Sequence, residues 1–268
     1  VADAESHEAL AAMAARRGLA AICQKPLAPD LAGAVRMVNL AKSHGKPLLV
    51  HENWRWQAPI RALKAVLASG DLGQIIRGRI DYANSFPVFD NQPSLKGLKQ
   101  FILMDMGTHI FDVARFLWGE TEEVYCQTRR IHPGIQGEDV ATALLRMGDG
   151  VTVTVNLSYA SKWEFDHFPE TMIQVEGAAG GVSLGVGQTL RVFTEAGTRT
   201  SDVKPKAYPW ADPAYTLVHS SIVECHRNLL AALQGGGNAE TTAEDNLKTL
   251  RLVFAAYDSA ERRKVVRL

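Results

Sequence analysis

Residues 101–119, FILMDMGTHIFDVARFLWG, constrain this chain more than any other stretch. Met106, Ile110, Val113, Ala114 and Leu117 recur at the spacing of a helix with one apolar stripe, starting near Met106. At about 100° per residue, Asp105, His109 and Asp112 fall within an arc of roughly 60°, centred more than about 100° from that stripe. Two carboxylates and an imidazole therefore share a face that is not the main core face. Asp105 stands where the first turn begins, where negative charge is favoured and free N–H groups need an acceptor. His109 follows one turn later, within reach of Asp105, and an Asp–His pair on a rigid helix is suited to handling a proton. The same spacing also fits a plain N-cap at Asp105, a solvated Asp112 and an ordinary polar His109, and spacing alone does not choose. No metal site is expected, because no further His or Cys cluster completes a ligand set around His109 and Asp112.

The chain before this stretch alternates helices and short apolar runs. Residues 6–17 read as a helix that Ser6 can cap and Gly18 stops. Residues 19–23 read as a short buried parallel strand. Asp30 opens a helix to about His44, and residues 48–51 form a second short strand. This rhythm is that of an α/β parallel sheet. A dinucleotide-binding unit would begin with a strand, a Gly-x-Gly-x-x-Gly turn and a helix. No such turn occurs near the start, and the Gly-rich residues 177–187 lie among strand-like segments, which marks a hairpin rather than a phosphate cradle.

A helix over residues 59–69 and a strand over residues 75–84 follow, then a polar loop over residues 85–100. Loops of that length inside a domain are usually functional or mobile. Beyond Gly119 the pattern turns to β, with strands predicted over residues 124–131, 139–147, 151–159, 171–176, 181–184 and 189–194. Val151, Val153, Val155, Leu157 and Tyr159 alternate with Thr152, Thr154, Asn156 and Ser158, so one face is apolar and the other polar but uncharged. Two closing helices, about residues 215–233 and 242–259, are parted by Gly235-Gly236-Gly237, with a capping box offered by Thr241-Thr242-Ala243-Glu244.

Composition narrows the partners. The 268 residues carry 29 basic and 29 acidic side chains, which gives no electrostatic case for nucleic acid or an anionic membrane. No apolar run approaches the roughly 20 residues of a membrane span. Cys23, Cys126 and Cys225 have no metal spacing and are too few for a disulfide framework, which suits a reducing compartment, and a cytoplasmic location is expected. Val1 is not an initiator Met and residues 1–7 read as the middle of something longer, so the chain is expected to be a fragment.

Several segments together resemble the glucose–fructose oxidoreductase and inositol dehydrogenase (Gfo/Idh/MocA) family. Residues 23–28, Cys-Gln-Lys-Pro-Leu-Ala, resemble its Glu-Lys-Pro signature, with Gln24 in place of the usual Glu. Residues 105–112 resemble its Asp-x-Gly-x-His-x-x-Asp helix, residues 53–59 its Arg-containing connecting segment, and Ser6-His7 the step before a preceding helix. The resemblance covers nearly the whole chain. It departs at the glycine-rich turn, which has no counterpart, and at about 30 residues per βαβ unit on the order of 80 residues are lacking.

The resemblance implies an α/β fold: the C-terminal part of a Rossmann-like parallel-sheet domain over residues 1–58, then an α+β substrate and oligomerisation domain over residues 59–268 with a large, mostly antiparallel open sheet. It implies an NAD- or NADP-dependent oxidoreductase acting on a CH–OH group of a sugar or polyol, with the cofactor bound by the full-length protein and not by this chain alone. His109 is then the base, Asp105 orients it or binds hydroxyls, and Lys25 stabilises the developing alkoxide. Lys25, Pro26 and Arg55 are expected at the cofactor, and Lys25, Asp105, His109 and Asp112 at the substrate. Trp54, Trp56, Trp163, Trp210 and His167 are assigned to core or loop packing. The Lys25–Pro26 bond is expected to be cis. A homodimer or higher homo-oligomer joined through the polar sheet face is expected. The alternatives are a non-catalytic ligand-sensing or assembly protein of the same fold, and a lyase or glycosidase with transient oxidation of the sugar.

Overall fold

A computed structural model describes residues 3–164 and 168–268, and His167 lies outside the described residues. The chain starts with helix α1 (His7–Arg16), strand β1 (Ala21–Gln24), helix α2 (Leu31–His44) and strand β2 (Leu48–His51). Asp30 caps α2 by accepting from the Gly33 N–H at 2.7 Å, and Gly45 ends it at φ 59°, a left-handed conformation that favours glycine. Strands β1 and β2 pair in parallel, Ala21 opposite Leu48 through Gln24 opposite His51. β2 is buried throughout, but β1 is more open than expected: Ile22 is 45% exposed, since β2 is its one paired neighbour among the described residues. Ser6 does not cap α1; Asp3 instead accepts from the Ser6 N–H, which winds residues 4–6 into a 3₁₀ turn ahead of the helix.

A 3₁₀ turn (Trp54–Trp56) and helix α3 (Ala58–Ser69) lead to strand β3 (Ile75–Ala83). The loop over residues 85–100 holds the short helix α4 (Val88–Asn91) and a 3₁₀ turn (Pro93–Gly97), then the chain enters a π-helical turn (Leu103–Gly107) that runs into helix α5 (Thr108–Trp118). Strands β4 (Thr121–Arg129), β5 (Val140–Met147), β6 (Thr152–Ser158), β7 (Met172–Gly177), β8 (Gly180–Gly185), β9 (Thr189–Thr194) and β10 (Gly197–Asp202) follow. The chain closes with α6 (Thr216–Leu233), α7 (Ala243–Arg262) and β11 (Val266–Arg267). The large sheet has the order β10-β9-β8-β7-β3-β6-β5-β4-β11, antiparallel except where β3 lies parallel to β6. Residues 177–187 form the β7–β8 hairpin turn and the strand after it, as the sequence implied. β10 and β11 lack an apolar alternation, which is why the sequence pattern passes over them.

One face of this sheet carries the core: Ile80 and Tyr82 of β3, Val153, Val155 and Leu157 of β6, and Ala141, Ala143 and Leu145 of β5 are all nearly inaccessible. Helix α5 covers it. A Cβ at Gly78 would collide with the indole of Trp118, so only glycine lets the end of α5 lie on β3. α5 is buried on every side from Thr108 to Arg115, because α7, α3 and the Trp54–Trp56 turn enclose the face that the sheet does not. The face that reads as polar and outward in sequence is therefore interior. The closing helices also return to the first sheet: α7 packs on α2, and the Val50 N–H donates to the Thr241 carbonyl at 2.8 Å. Thr242 caps α7 by accepting from the Asp245 N–H, one residue later than the capping box implied, because the Thr241 hydroxyl is spent on the Val50 carbonyl.

Candidate active site

The site is built where the carboxyl ends of β1 and β2 meet the start of α5. β1 ends at Gln24, and the Lys25–Pro26 bond that follows is cis. The turn is fixed from below. His7, buried at the start of α1, donates through Nδ1 to the Pro26 and Leu27 carbonyls at 3.1 and 3.3 Å. Lys25 thereby reaches across to the π-helical turn, where its Nζ donates to the Asp105 carbonyl (2.8 Å) and to Asp105 Oδ1 (2.9 Å). An ammonium has three N–H donors, so one remains for a ligand. Both side chains are partly open, 15% for Lys25 and 25% for Asp105. The Tyr159 hydroxyl at the end of β6 donates to Asp105 Oδ2 at 3.4 Å. Burial pushes the Asp105 carboxyl up, but the Lys25 charge and hydrogen bond outweigh it and hold Asp105 below the usual carboxylate range.

His109 stands one turn further on, and its Nδ1 is 2.6 Å from Glu52 Oε1, not paired with Asp105. This corrects the expected Asp105–His109 pairing: Asp105 is not an N-cap but lies inside a π-helical turn, and its oxygens are taken by Lys25 and Tyr159. Glu52 follows β2 directly, is fully buried, and its Oε1 also accepts from the Trp54 N–H at 2.9 Å. The Trp54 indole stacks on the imidazole, centroids 4.4 Å apart and planes inclined by 28°. Nε2 of His109 makes no hydrogen bond among the described residues, and it is not one of the buried unpartnered atoms. Burial, and next the Lys25 charge, hold the imidazolium well below the usual histidine range. Burial pushes the Glu52 carboxyl up to about 7.

Arg55 and Asp112, expected at the cofactor and at the substrate, are instead paired with each other beneath the site. Arg55 Nε donates to Asp112 Oδ2 at 2.7 Å and Nη2 to Asp112 Oδ1 at 2.5 Å, with Asp245 on the outer side of the guanidinium at 3.0 Å. Asp112 is wholly inaccessible and the Arg55 side chain 7% exposed, so neither presents a group to a ligand. Buried charges persist when they are paired this way. Trp163 and Trp210 are more than half exposed, on loops and outside the core.

Two family models match. Residues 60–183 match the GFO/IDH/MocA C-terminal domain, and residues 1–52 match an oxidoreductase family with an NAD-binding Rossmann fold. The chain is 42% identical over 265 residues to a D-apiose dehydrogenase of Paraburkholderia graminis, covering 99% of this chain and 71% of the relative. The chain belongs to the Gfo/Idh/MocA oxidoreductase family. A D-apiose dehydrogenase of Rhizobium rhizogenes is likewise 42% identical, over 98% of this chain and 76% of its own length. The crystal structure of an Agrobacterium radiobacter oxidoreductase in complex with NAD+, L-tartaric acid and magnesium superposes with a TM-score of 0.97, at 41% identity, over 100% of this chain and 78% of that one. As a member of the family, the protein is a nicotinamide-dependent dehydrogenase.

The described residues fit one end of such a cofactor. Ligands of open α/β sheets sit outside the carboxyl ends of the strands, where Lys25 offers its free donor. The pyrophosphate needs free N–H groups at a helix start behind a glycine-rich turn. The helix after β1 does not supply them, because Asp30 already occupies its N-terminus and would repel a phosphate, and α3 begins with Pro59 in its first turn. Glu52 is the buried partner of His109 that the sequence pattern passes over. Its signal was positional: an acidic residue at the carboxyl end of a parallel strand.

Proposed function

We propose that the enzyme oxidises a CH–OH group of a small sugar or polyol, with His109 as the base and Lys25 as the electrostatic partner of the reacting oxygen. The observation that carries this reading is the convergence of two groups held by different elements: a Lys25 ammonium fixed by Asp105 with one donor to spare, and a His109 imidazole fixed at Nδ1 with Nε2 free. We place the division between a nucleotide-binding part and a substrate part near residue 58, so that Lys25 comes from the first and Asp105 and His109 from the second.

Bound NAD(P)+ supplies a two-electron hydride acceptor. The substrate hydroxyl then lies between Lys25 and His109. The free N–H of Lys25 donates to its oxygen and stabilises the negative charge that develops there. His109 Nε2 takes the hydroxyl proton as the C–H hydride departs, and a carbonyl forms at that carbon. Asp105 keeps Lys25 charged and in place, a positioning role. The buried Trp54 indole over the imidazole excludes water from one face of the base.

The relatives named D-apiose dehydrogenase support an aldose as the first substrate to test. Oxidation at the anomeric carbon of the cyclic form would give a lactone. The enzyme is to be incubated with NAD+ and with NADP+ against D-apiose, other aldopentoses, hexoses and inositol, and reduced nicotinamide followed by absorbance. Turnover confined to a few sugars or polyols is expected. Binding of NADH with no turnover across the panel would turn the reading toward a ligand sensor.

A homo-oligomer joined through the open face of the large sheet is proposed as the assembly. Thr154 lies on that face between Leu144 of β5 and Arg79 of β3, and Leu144, Tyr125 and Phe193 expose apolar surface on the same side.

A further inference from the structure

We infer that Glu52 is the positioning carboxylate of the base: it fixes His109 with the proton on Nδ1 and Nε2 bare, and its own protonation impairs the base. The inference rests on the reading of His109 as base.

The geometry leaves His109 little freedom. Nδ1 lies 2.6 Å from Glu52 Oε1, and that oxygen is anchored by the Trp54 N–H, a donor that keeps it an acceptor. An ionised Glu52 can only accept, so Nδ1 must carry the proton and Nε2 is left with a lone pair. Adding one proton to the pair impairs the base. Where it settles on the imidazole, or on Oε1 so that Glu52 donates to Nδ1, Nε2 holds a hydrogen and cannot take another. Where it settles on Oε2, Nε2 stays bare but the neutral carboxyl no longer stabilises the imidazolium that must form, and the base is weakened. Glu52 Oε2 is buried without a hydrogen-bond partner among the described residues, so no hydrogen bond on that oxygen secures the ionised form. Trp54 acts twice, through its N–H on the carboxylate and its ring on the imidazole, and so ties the rotamer of one to the other.

The charged and titratable groups around the pair come from every adjoining element. Lys25 from the turn after β1 and Arg55 from the 3₁₀ turn favour the ionised carboxylate, whereas Asp245 of α7 disfavours it. Asp105 and Asp112 favour a charged His109, and His51 of β2 faces it. Cys225 of α6 lies against the Glu52 backbone, its Sγ 3.5 Å from the carbonyl. With burial the largest influence, the Glu52 carboxyl titrates at about 7.

The test is the pH dependence of turnover in the enzyme with its best sugar. Glu52→Gln keeps an acceptor for Nδ1 but cannot ionise or stabilise the imidazolium, so kcat should fall about 10- to 100-fold, the worth of a charge-assisted bond. The rise of kcat through neutral pH should vanish, with KM for the sugar within about twofold of wild type. Glu52→Asp should retain the rise at a reduced rate. Nitrogen NMR of wild-type His109 should find the proton on Nδ1 at pH 8, a readout that does not depend on any variant folding. A wild-type pH profile in Glu52→Gln with kcat within about twofold, or a proton on Nε2 at pH 8, would overturn the inference. His109→Asn assayed alongside separates the two assignments. Turnover lost there but kept in Glu52→Gln removes the role of Glu52 alone, and turnover kept in both removes His109 as base.

Discussion

One stretch of helix carries two carboxylate–cation pairs that look alike in sequence and differ in the folded chain. Asp105 in the π-helical turn meets Lys25 with both side chains partly open. Asp112, seven residues on, meets Arg55 with neither reachable. The first pair is a single ammonium contact that leaves a donor free. The second is a two-point guanidinium grip, extended through Asp245 to Arg115, whose Nη2 lies 2.8 Å from Asp245 Oδ1. A planar fork suits a closed structural pair and a point charge with spare donors suits a reacting oxygen. In the proposed function the upper pair serves the chemistry, while the lower one ties α5, α7 and the Trp54–Trp56 turn together beneath His109 and Glu52.

The sharpest way to break this comparison is to remove one group from each level. His109→Asn should lower kcat by about 10²–10⁴, the range for losing a general base, and Lys25→Ala should also lower kcat through lost charge stabilisation. Urea unfolding of Lys25→Ala should stay within about 1 kcal/mol of wild type, since a partly open ion pair contributes little. Full turnover in both variants would leave the upper level without a chemical role.

Asp112→Asn should do the reverse. Breaking a buried ion pair by removing one partner costs about 3–5 kcal/mol, and the Asp245 carboxylate left on Arg55 places the loss toward the lower end. Equilibrium unfolding reads this directly. An unfolding midpoint equal to that of wild type would show that the lower pair holds nothing.

The link between the levels is Glu52, and pH reads it. Its folded carboxyl sits at about 7, above the ordinary 4.5, so the folded state binds its proton more tightly than the unfolded state does. Stability from this group is therefore present below pH 4.5 and lost as pH rises through 7, by about 3 kcal/mol. His109 acts with the opposite sign, because its folded value is depressed and stability is lost as pH falls below the ordinary 6.5. The difference between wild type and Glu52→Gln isolates the carboxyl: the variant should gain on wild type by up to about 3 kcal/mol between pH 5 and pH 8. A constant difference across that span would place Glu52 in an ordinary ionised state.

The smallest expected effect on the fold lies on the far side of the sheet. Thr154→Arg sets a second cation beside Arg79, its neighbour across the β3–β6 pair, and should shift a sheet-to-sheet oligomer toward monomer in light scattering. Its unfolding should change by less than about 0.5 kcal/mol. An unaltered assembly would move the interface to another surface.

Much of the architecture was determined by the sequence alone. The period of Met106, Ile110, Val113 and Leu117 made α5, the two-residue alternation from Val151 to Tyr159 made β6, and Asp30 and Gly45 bounded α2 as capping chemistry requires. Lys25, Asp105 and His109 were visible because their motifs are local. Their partners were not. Periodicity counts every residue at about 100° and assumes a single solvent side. A π-helical turn breaks the count at Leu103–Gly107, and α7 and the Trp54–Trp56 turn enclose the side that should have been open. Only the tertiary structure decided that Asp105 holds Lys25, that Asp112 is sealed against Arg55, and that Glu52, 57 residues away in sequence, holds His109. The physical reason is range: a helix period is set by neighbours one turn apart, whereas the partner of a buried charge is set by whichever element is packed against it.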